Sequence, residues 1–130
     1  METDEVNPLS TSLLVGAGGF AGANLRYWLG SWIQMKAGLP FPTGTLVINV
    51  TGSLLIGIFM GFFLRDGWDD NWRLLLAVGV LGGYTTFSSF SYDSMVLLSE
   101  GNYLAAFGYV IGSVLLALGG TWLGLAFVKS

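Results

Sequence analysis

Four long apolar runs, separated by short polar or proline-containing segments, dominate the pattern of residues along this chain. Each run is long enough to cross a bilayer, because about 20 apolar residues in a helix span a hydrocarbon core of roughly 30 Å. The pattern therefore predicts an all-α integral membrane protein, with residues 1–130 forming a single membrane domain. The four predicted transmembrane helices cover about 9–32, 43–64, 72–99 and 103–128.

Helix-breaking and polar residues mark the connections between these runs. Segment 36–42 reads Lys-Ala-Gly-Leu-Pro-Phe-Pro and cannot continue a helix, because two prolines and a glycine break it. Segment 65–73 is rich in Asp, Arg and Trp, and we predict Asp70 or Asn71 as the N-cap of the next helix. A Glu-Gly-Asn turn at 100–102 precedes the last helix.

The third run contains a signal for an interruption in its middle. Gly82 and Gly83 are followed by Thr85 and Thr86, and this composition weakens a helix. A freed carbonyl at bilayer depth needs a partner. The sequence thus predicts a break near 82–86 whose carbonyls hold a cation or line a polar cavity. A continuous helix with hydroxyls bonded to the preceding turn is the alternative.

Polar side chains recur at helical spacing on the second and fourth runs. Thr45, Asn49 and Ser53 are four residues apart and therefore share one face. Tyr109, Ser113 and, after Ala117, Thr121 follow the same four-residue spacing on the fourth run. Either stripe alone is compatible with ordinary hydrogen bonding between membrane helices. The two stripes, together with the Thr/Ser/Phe residues of the third run, predict a continuous polar track.

Glycines predict faces where helices approach each other closely. Small residues four positions apart, with three residues between them in the small-xxx-small pattern, let helix backbones pack closely in lipid. The glycines with this role are Gly16, Gly18, Gly19 and Gly22 on the first helix, Gly57 and Gly61 on the second, and Gly108, Gly112, Gly120 and Gly124 on the fourth.

Composition supports the membrane assignment and excludes several functions. Apolar residues make up 53% of the chain and charged residues 10%, against about one quarter charged in soluble domains. The chain has no Cys and no His, which removes thiol nucleophiles and the usual general base. The net charge of −3 comes mainly from the N-terminal Glu2, Asp4 and Glu5 and from the 65–73 segment. We expect neither an enzyme nor a nucleic-acid partner.

The distribution of basic residues does not select one orientation in the membrane. Arg65, Arg73 and Lys129 would lie on one side, and Lys36 with the partly embedded Arg26 on the other. This difference is too small for the positive-inside rule to decide. No internal repeat is visible, so any inverted symmetry requires two chains.

Two charged residues fall within or near apolar runs. Arg26 is costly there, and we interpret it as facing a watery vestibule in preference to snorkelling towards the interface. Asp93 follows the predicted break, and a structural hydrogen bond or an ion pair is sufficient to account for it. No transport role is assigned to Asp93.

Four segments resemble the Fluc/CrcB family of microbial fluoride channels: GTLVINVTG at 44–52, GGYTTFSSF at 82–90, GANLRY at 22–27 and the Gly-Tyr pair at 108–109. The resemblance covers essentially the whole chain. It implies a multi-pass protein of the cell inner (plasma) membrane that exports fluoride passively. It also implies a dual-topology, antiparallel homodimer in the lipid bilayer, with two pores.

The resemblance also implies the site residues. A structural sodium ion at the dimer centre would be held by backbone carbonyls of Gly82 and Thr85 from both chains. An amide, hydroxyls and the positive edges of phenyl rings can replace the water of a small anion and still release it. The residues expected along the fluoride path, including the polar stripe and the vestibule, are Asn49, Phe87, Phe90, Tyr109, Ser113, Thr45 and Arg26.

Two departures from the family pattern leave the details of the track open. The family often has Thr where this chain has Ser89, and the fourth-run stripe loses a hydroxyl at Ala117. The main alternative function is a small proton-coupled antiporter of the drug-exporter type. Such a protein needs a membrane-embedded carboxylate. The first predicted helix contains none, and Asp93 is the only candidate elsewhere. A non-transporting assembly subunit would explain the glycine faces but not the converging polar residues.

Overall fold

The computed structural model describes residues 6–130, and each regular element within that range is a helix. Residues 1–5 of the predicted domain, including the acidic residues of the N-terminal tail, lie outside the described residues. The elements are α1 (Pro8–Ala37), α2 (Thr43–Asp66), α3 (Asp70–Trp72), a π-helical segment (Arg73–Leu81), α4 (Gly82–Tyr84), α5 (Phe87–Ser99) and α6 (Tyr103–Lys129).

Three of the described helical stretches are long and apolar enough to cross a membrane. They are Thr43–Asp66, Asp70–Ser99 and Tyr103–Lys129. The predicted all-α membrane fold is confirmed at this level. The helix predicted over 9–32 lies inside α1, which is 30 residues long and ends at Ala37. Lys36 and Ala37 are therefore helical, and the prediction that the first connection begins at Lys36 is wrong by two residues.

Capping residues set the ends of α1 and α2. The Asn7 side chain accepts hydrogen bonds from the amides of Leu9 at 3.1 Å and Ser10 at 3.2 Å. It thereby supplies partners for amides that have none inside the helix. Gly38 ends α1 and Gly67 ends α2, both with φ of 63°. A left-handed residue at this position is most easily a glycine.

The N-cap of α3 is one residue earlier than predicted. Asp69 accepts a hydrogen bond from the Asn71 amide at 2.9 Å. The prediction of Asp70 or Asn71 as the cap is therefore wrong. Asp70 instead pairs with Arg73 at 2.7 Å, one helical turn away.

Glycines allow the backbone of α1 to pack closely on the π-helical segment, and that of α2 to pack closely on α6. A Cβ added to Gly22 would collide with backbone atoms of Val80 and Tyr84. A Cβ on Gly124 would likewise meet the backbone of α2. The predicted close crossings at these positions are therefore present. Gly108 and Gly112, in contrast, have no atom within 4 Å of an added Cβ among the described residues.

We expect Gly22→Ala to destabilise the protein by about 1–3 kcal/mol, the usual cost of overpacking a close contact. The control is Gly16→Ala on the same helix, because nothing described lies within 4 Å of a Cβ at Gly16. Alanine is also the better helix former, so the control should be as stable as the parent or more so. Equilibrium unfolding in mixed detergent checks this, and equal stability of the two variants would contradict the packing described above.

Two buried apolar clusters lie on either side of the segment that joins α4 to α5. Ile48, Leu81 and Tyr84 form the first, and Leu97, Ala106 and Tyr109 form the second. The hydroxyls of Tyr84 and Thr51 lie 2.9 Å apart, so the polar end of this buried ring is satisfied. The clusters hold the chain before and after the α4–α5 connection in fixed positions.

Candidate functional site

The helical backbone is interrupted for two residues between α4 and α5. Thr85 has φ −81° and ψ 155°, and Thr86 has φ −147° and ψ 116°, which are both extended conformations. The Thr86 side chain then caps α5 by accepting from the Ser89 amide at 3.1 Å. The backbone groups of this connection must therefore find partners outside the usual helical ladder.

Side chains of α1 and α2 provide several of those partners. Asn49 donates through Nδ2 to the carbonyl of Thr86 at 3.0 Å and accepts from the Thr86 amide at 2.8 Å. Arg26 donates through Nε to the carbonyl of Gly83 at 3.0 Å. Two predicted pathway residues thus support the α4–α5 connection directly.

The carbonyls of Gly82 and Thr85 lose the amides that would normally pair with them in an α-helix. The amide four residues after Gly82 is that of Thr86, which donates to Asn49 instead. The amide four residues after Thr85 is that of Ser89, which donates to the Thr86 hydroxyl. Both oxygens are left with accepting capacity, and oxygen atoms are the ligands that hard cations take.

A cavity of about 380 Å³, which we call the inner cavity, opens beside this connection. Its lining includes four of the predicted pathway residues, Asn49, Phe87, Phe90 and Ser113, together with Thr86. The Ser113 hydroxyl is buried and has no hydrogen-bond partner among residues 6–130. A buried hydroxyl without a partner is costly, so this position favours a water molecule or an ion within the cavity.

Aromatic rings form a series that begins in the inner cavity. The centroids of Phe87 and Phe90 are 5.5 Å apart, and those of Phe90 and Tyr109 are 5.2 Å apart. Phe41 meets Tyr109 edge to face at 5.5 Å. Phe87 is 79% exposed whereas Tyr109 is 1% exposed. The series therefore leads from the surface of the chain into its core.

A second cavity, of about 430 Å³, contains the other polar residues and is called the outer cavity here. Arg26, Thr45 and Asp93 line it, so it carries one basic and one acidic side chain. Thr86 lines both cavities. The hydrogen-bonded pair of Asn49 and Thr86 therefore lies where the two cavities meet.

Tyr109 is the predicted pathway residue that lines neither cavity. It packs behind Phe90, and its hydroxyl donates to the Asp93 carboxylate at 3.1 Å. Asp93 was interpreted as forming either a structural hydrogen bond or an ion pair, and in the structure it accepts a hydrogen bond from Tyr109.

Thr86 and Asp93 are site residues that sequence reasoning did not assign. A usable signal existed, since a threonine immediately before a helical run is a typical N-cap. Thr86, Ser89 and Asp93 also follow the i, i+3, i+7 spacing of one helical face. All three line the outer cavity.

Apolar helices of membrane-spanning length, with two cavities that are lined in part by polar side chains, define this chain as a small, multi-pass α-helical membrane protein. A model described as "CrcB-like protein, Camphor Resistance (CrcB)" matches residues 13–125. The chain belongs to this CrcB-like family, as its resemblance to Fluc/CrcB proteins predicted.

Individual relatives align along most of their length. A protein of Rhizobium meliloti named fluoride-specific ion channel FluC is 46% identical over 119 residues, covering 91% of this chain and 95% of the relative. Proteins with the same name are 49% identical in Rhodospirillum rubrum, with 88% and 91% covered, and 48% identical in Thermus thermophilus, with 82% and 84% covered.

Proposed function

We propose that this chain is a passive, fluoride-selective ion channel that exports fluoride across the cell membrane, and that it has no enzymatic activity. The observation that carries the proposal is the inner cavity, where the Asn49 amide, two phenyl rings and the unpartnered Ser113 hydroxyl meet. The names of the relatives, fluoride-specific ion channel, support the same function. The antiporter alternative has no support from these relatives.

The cavity residues suit a small anion that must exchange its water for protein donors. Asn49 donates one of its two amide hydrogens to the carbonyl of Thr86, and the second is available to donate to an anion. Ser113 has a hydroxyl to donate, and phenyl rings present positive edges. Of the described residues lining the inner cavity, none is charged. Such donors bind the ion weakly enough for it to leave again.

The outer cavity would act as the vestibule of this pathway. Arg26 attracts an anion into it, while Asp93 offsets part of that charge so that the vestibule does not trap the ion. Thr45 adds a hydroxyl to the wall. Tyr109 would contribute from behind, by fixing the ring of Phe90 and holding Asp93 in place.

The test of this function is ion efflux from liposomes that contain the purified protein. We expect fluoride, loaded inside with potassium and released with a potassium ionophore present, to leave in a burst recorded by a fluoride electrode. Liposomes loaded with potassium chloride should retain their chloride under the same conditions. Fluoride that stayed inside in the presence of the potassium ionophore and left only when a proton gradient was imposed would overturn the proposal in favour of an antiporter.

We further propose that α1 is a fourth transmembrane helix and that the interrupted α4–α5 connection lies within the membrane. At a rise of about 1.5 Å per residue, a helix of this length reaches roughly 45 Å. Its glycine face packs on the π-helical segment, which belongs to an apolar stretch long enough to span the membrane. The side-chain partners for Gly83 and Thr86 also fit a location where water is not available.

The functional unit would be an antiparallel homodimer with two pores and a structural sodium ion at its centre. One chain offers only the freed carbonyls of Gly82 and Thr85 at this position, so a second copy is needed to complete a cage of oxygen ligands. The Phe87 ring is largely exposed in one chain, which also supports the presence of a second copy that covers it. Replacing sodium by N-methylglucamine should lower both the flux and the fraction of dimer seen after cross-linking, and unchanged values for both would contradict the sodium site.

Dual topology predicts that one position is reached from both faces of the membrane. The chain contains no cysteine, so Asn71→Cys and Lys36→Cys each introduce a single target into an exposed segment. Because the basic bias is small, roughly half of each variant should react with an impermeant maleimide added outside intact cells. The rest should react only after permeabilisation. If one variant reacted wholly from outside and the other wholly from inside, the chain would have one orientation.

A further inference from the structure

An aromatic cavity that shares no lining residue with the inner or outer cavity lies where the end of α2 meets the start of the π-helical segment. Its volume is about 430 Å³, and its walls are Phe59, Trp68, Asp69, Trp72 and Leu76. Trp68 is held in place because its ring stacks on Phe62 with centroids 6.0 Å apart and planes 4° apart. Three aromatic rings and one carboxylate therefore surround a single space.

The charge balance of the surrounding loop leaves this cavity with an uncompensated carboxylate. The loop has three acidic residues, and two of them are paired: Asp66 with Arg65 at 2.9 Å and Asp70 with Arg73 at 2.7 Å. Asp69 is in no ion pair within residues 6–130, and its recorded hydrogen bond comes from the Asn71 amide. The negative charge that faces the aromatic rings is thus that of Asp69.

Aromatic faces beside a carboxylate are the environment that an organic ammonium group prefers. The ring quadrupole attracts a cation, most strongly for tryptophan, while the carboxylate supplies the opposite charge. A small hydrated metal ion would gain nothing from the apolar walls. The chemistry of the cavity therefore selects a cation that carries apolar surface.

The position of the cavity indicates where such a cation would come from. It lies at the end of the spanning stretch Thr43–Asp66, and Trp68 and Trp72 are residues typical of the bilayer interface. Arg73 borders the adjoining part of the same aromatic wall. Its Nε and Nη2 donate to Asp70, and its Nη1 is the guanidinium nitrogen left to donate to a phosphate. An acid for the ammonium and a base for the phosphate match the two charges of one zwitterionic headgroup.

We propose that this cavity binds the ammonium headgroup of a zwitterionic phospholipid. Trp68 and Trp72 would enclose the ammonium, Asp69 would balance its charge, and the acyl chains would follow the apolar surface of α2 into the bilayer. The site is independent of the fluoride pathway, so its test does not depend on ion flux.

The test counts phospholipids retained by the purified full-length protein in native mass spectrometry. Phosphatidylethanolamine is the probe, and phosphatidylglycerol with the same acyl chains is the anionic comparison. We expect phosphatidylethanolamine to be retained in preference, and Trp72→Leu to reduce its retention by roughly fivefold, the loss expected for one cation–π contact. Asp69→Asn should have a similar effect while keeping an oxygen to cap α3.

The matched control is Trp122→Leu, which removes an exposed tryptophan on α6 and should leave retention unchanged. Helical circular dichroism and a monodisperse elution profile confirm that each variant is folded. Equal retention of both lipids, or parental retention by folded Trp72→Leu and Asp69→Asn, would overturn the proposal. Choline chloride has the ammonium group but no acyl chains. If it displaced phosphatidylethanolamine from the protein at concentrations equal to those of the lipid, the assignment to a phospholipid would be overturned.

Discussion

Replacing Phe87 or Phe90 by isoleucine is expected to remove most of the fluoride flux and leave a folded protein. Isoleucine keeps apolar bulk but has no ring edge to present to an anion. An interaction of about 1.4 kcal/mol lost at the barrier corresponds to roughly tenfold in rate, so we expect at least that fall for each ring. The measurement is the initial rate of fluoride efflux from liposomes, normalised to the amount of reconstituted protein.

Phe87 gives the cleaner experiment of the two, because it is 79% exposed and its replacement disturbs little packing inside one chain. Phe90 contacts the Tyr109 ring, so its variant also needs a stability measurement. Phe107→Ile is the matched control, since Phe107 is 62% exposed on α6 and lines neither the inner nor the outer cavity. Folded Phe87→Ile and Phe90→Ile proteins that conduct like Phe107→Ile would remove both rings from the pathway.

Asn49→Asp is expected to cause the larger loss, about hundredfold or more. A carboxylate at this position would repel fluoride, and two like charges about 4 Å apart repel by roughly 4 kcal/mol at an effective dielectric constant of 20. The substitution also removes the Nδ2 donor from the carbonyl of Thr86. Efflux rates measured beside an unfolding curve separate loss of conduction from loss of fold.

Two further variants separate the effect of the added charge at position 49 from the effect of losing the Asn49 hydrogen bonds to the Thr86 backbone. Asn49→Leu removes both hydrogen bonds to Thr86 without adding charge, whereas Asn49→Asp keeps an oxygen that can accept from the Thr86 amide. If charge decides the flux, Asn49→Leu should nevertheless lose less flux than Asn49→Asp. Asn102→Asp makes the identical chemical change in an exposed turn and should conduct normally. Parental flux through Asn49→Asp would mean that the pathway does not pass this face of α2. Equal losses for the Asp and Leu variants would assign Asn49 a structural role only.

Sequence reasoning located the helices because apolar runs and breaker residues are local signals. The connection that ends at Pro42 and the glycine face of α1 are examples. The π-helical geometry of Arg73–Leu81 was not predictable in this way, because an apolar run carries no information about which carbonyl each amide selects. Gly108 and Gly112 show a second limit, since their spacing suits a helix crossing that the described chain does not contain.

Most of the residues that the sequence predicted for the site line one of the two cavities, but the sequence did not predict which of these residues contact each other. Spacing placed Thr45 and Asn49 on one face, and both do line cavities. The pairing of Asn49 with Thr86 and of Arg26 with Gly83 depends on how separate helices pack, which no local pattern specifies. For the same reason Tyr109 was assigned to the path directly, although its hydroxyl bonds to Asp93.

The contacts that hold the α4–α5 connection also constrain the order in which the chain can fold. Arg26 lies 57 residues before Gly83, and Asn49 lies 37 residues before Thr86. Contacts of such long sequence separation form only after the loops between them close. During synthesis from the N-terminus, α1 and α2 leave the ribosome before the connection exists. The side-chain partners of the α4–α5 connection are therefore synthesised before the connection itself, which can take its final hydrogen bonds as soon as it meets them.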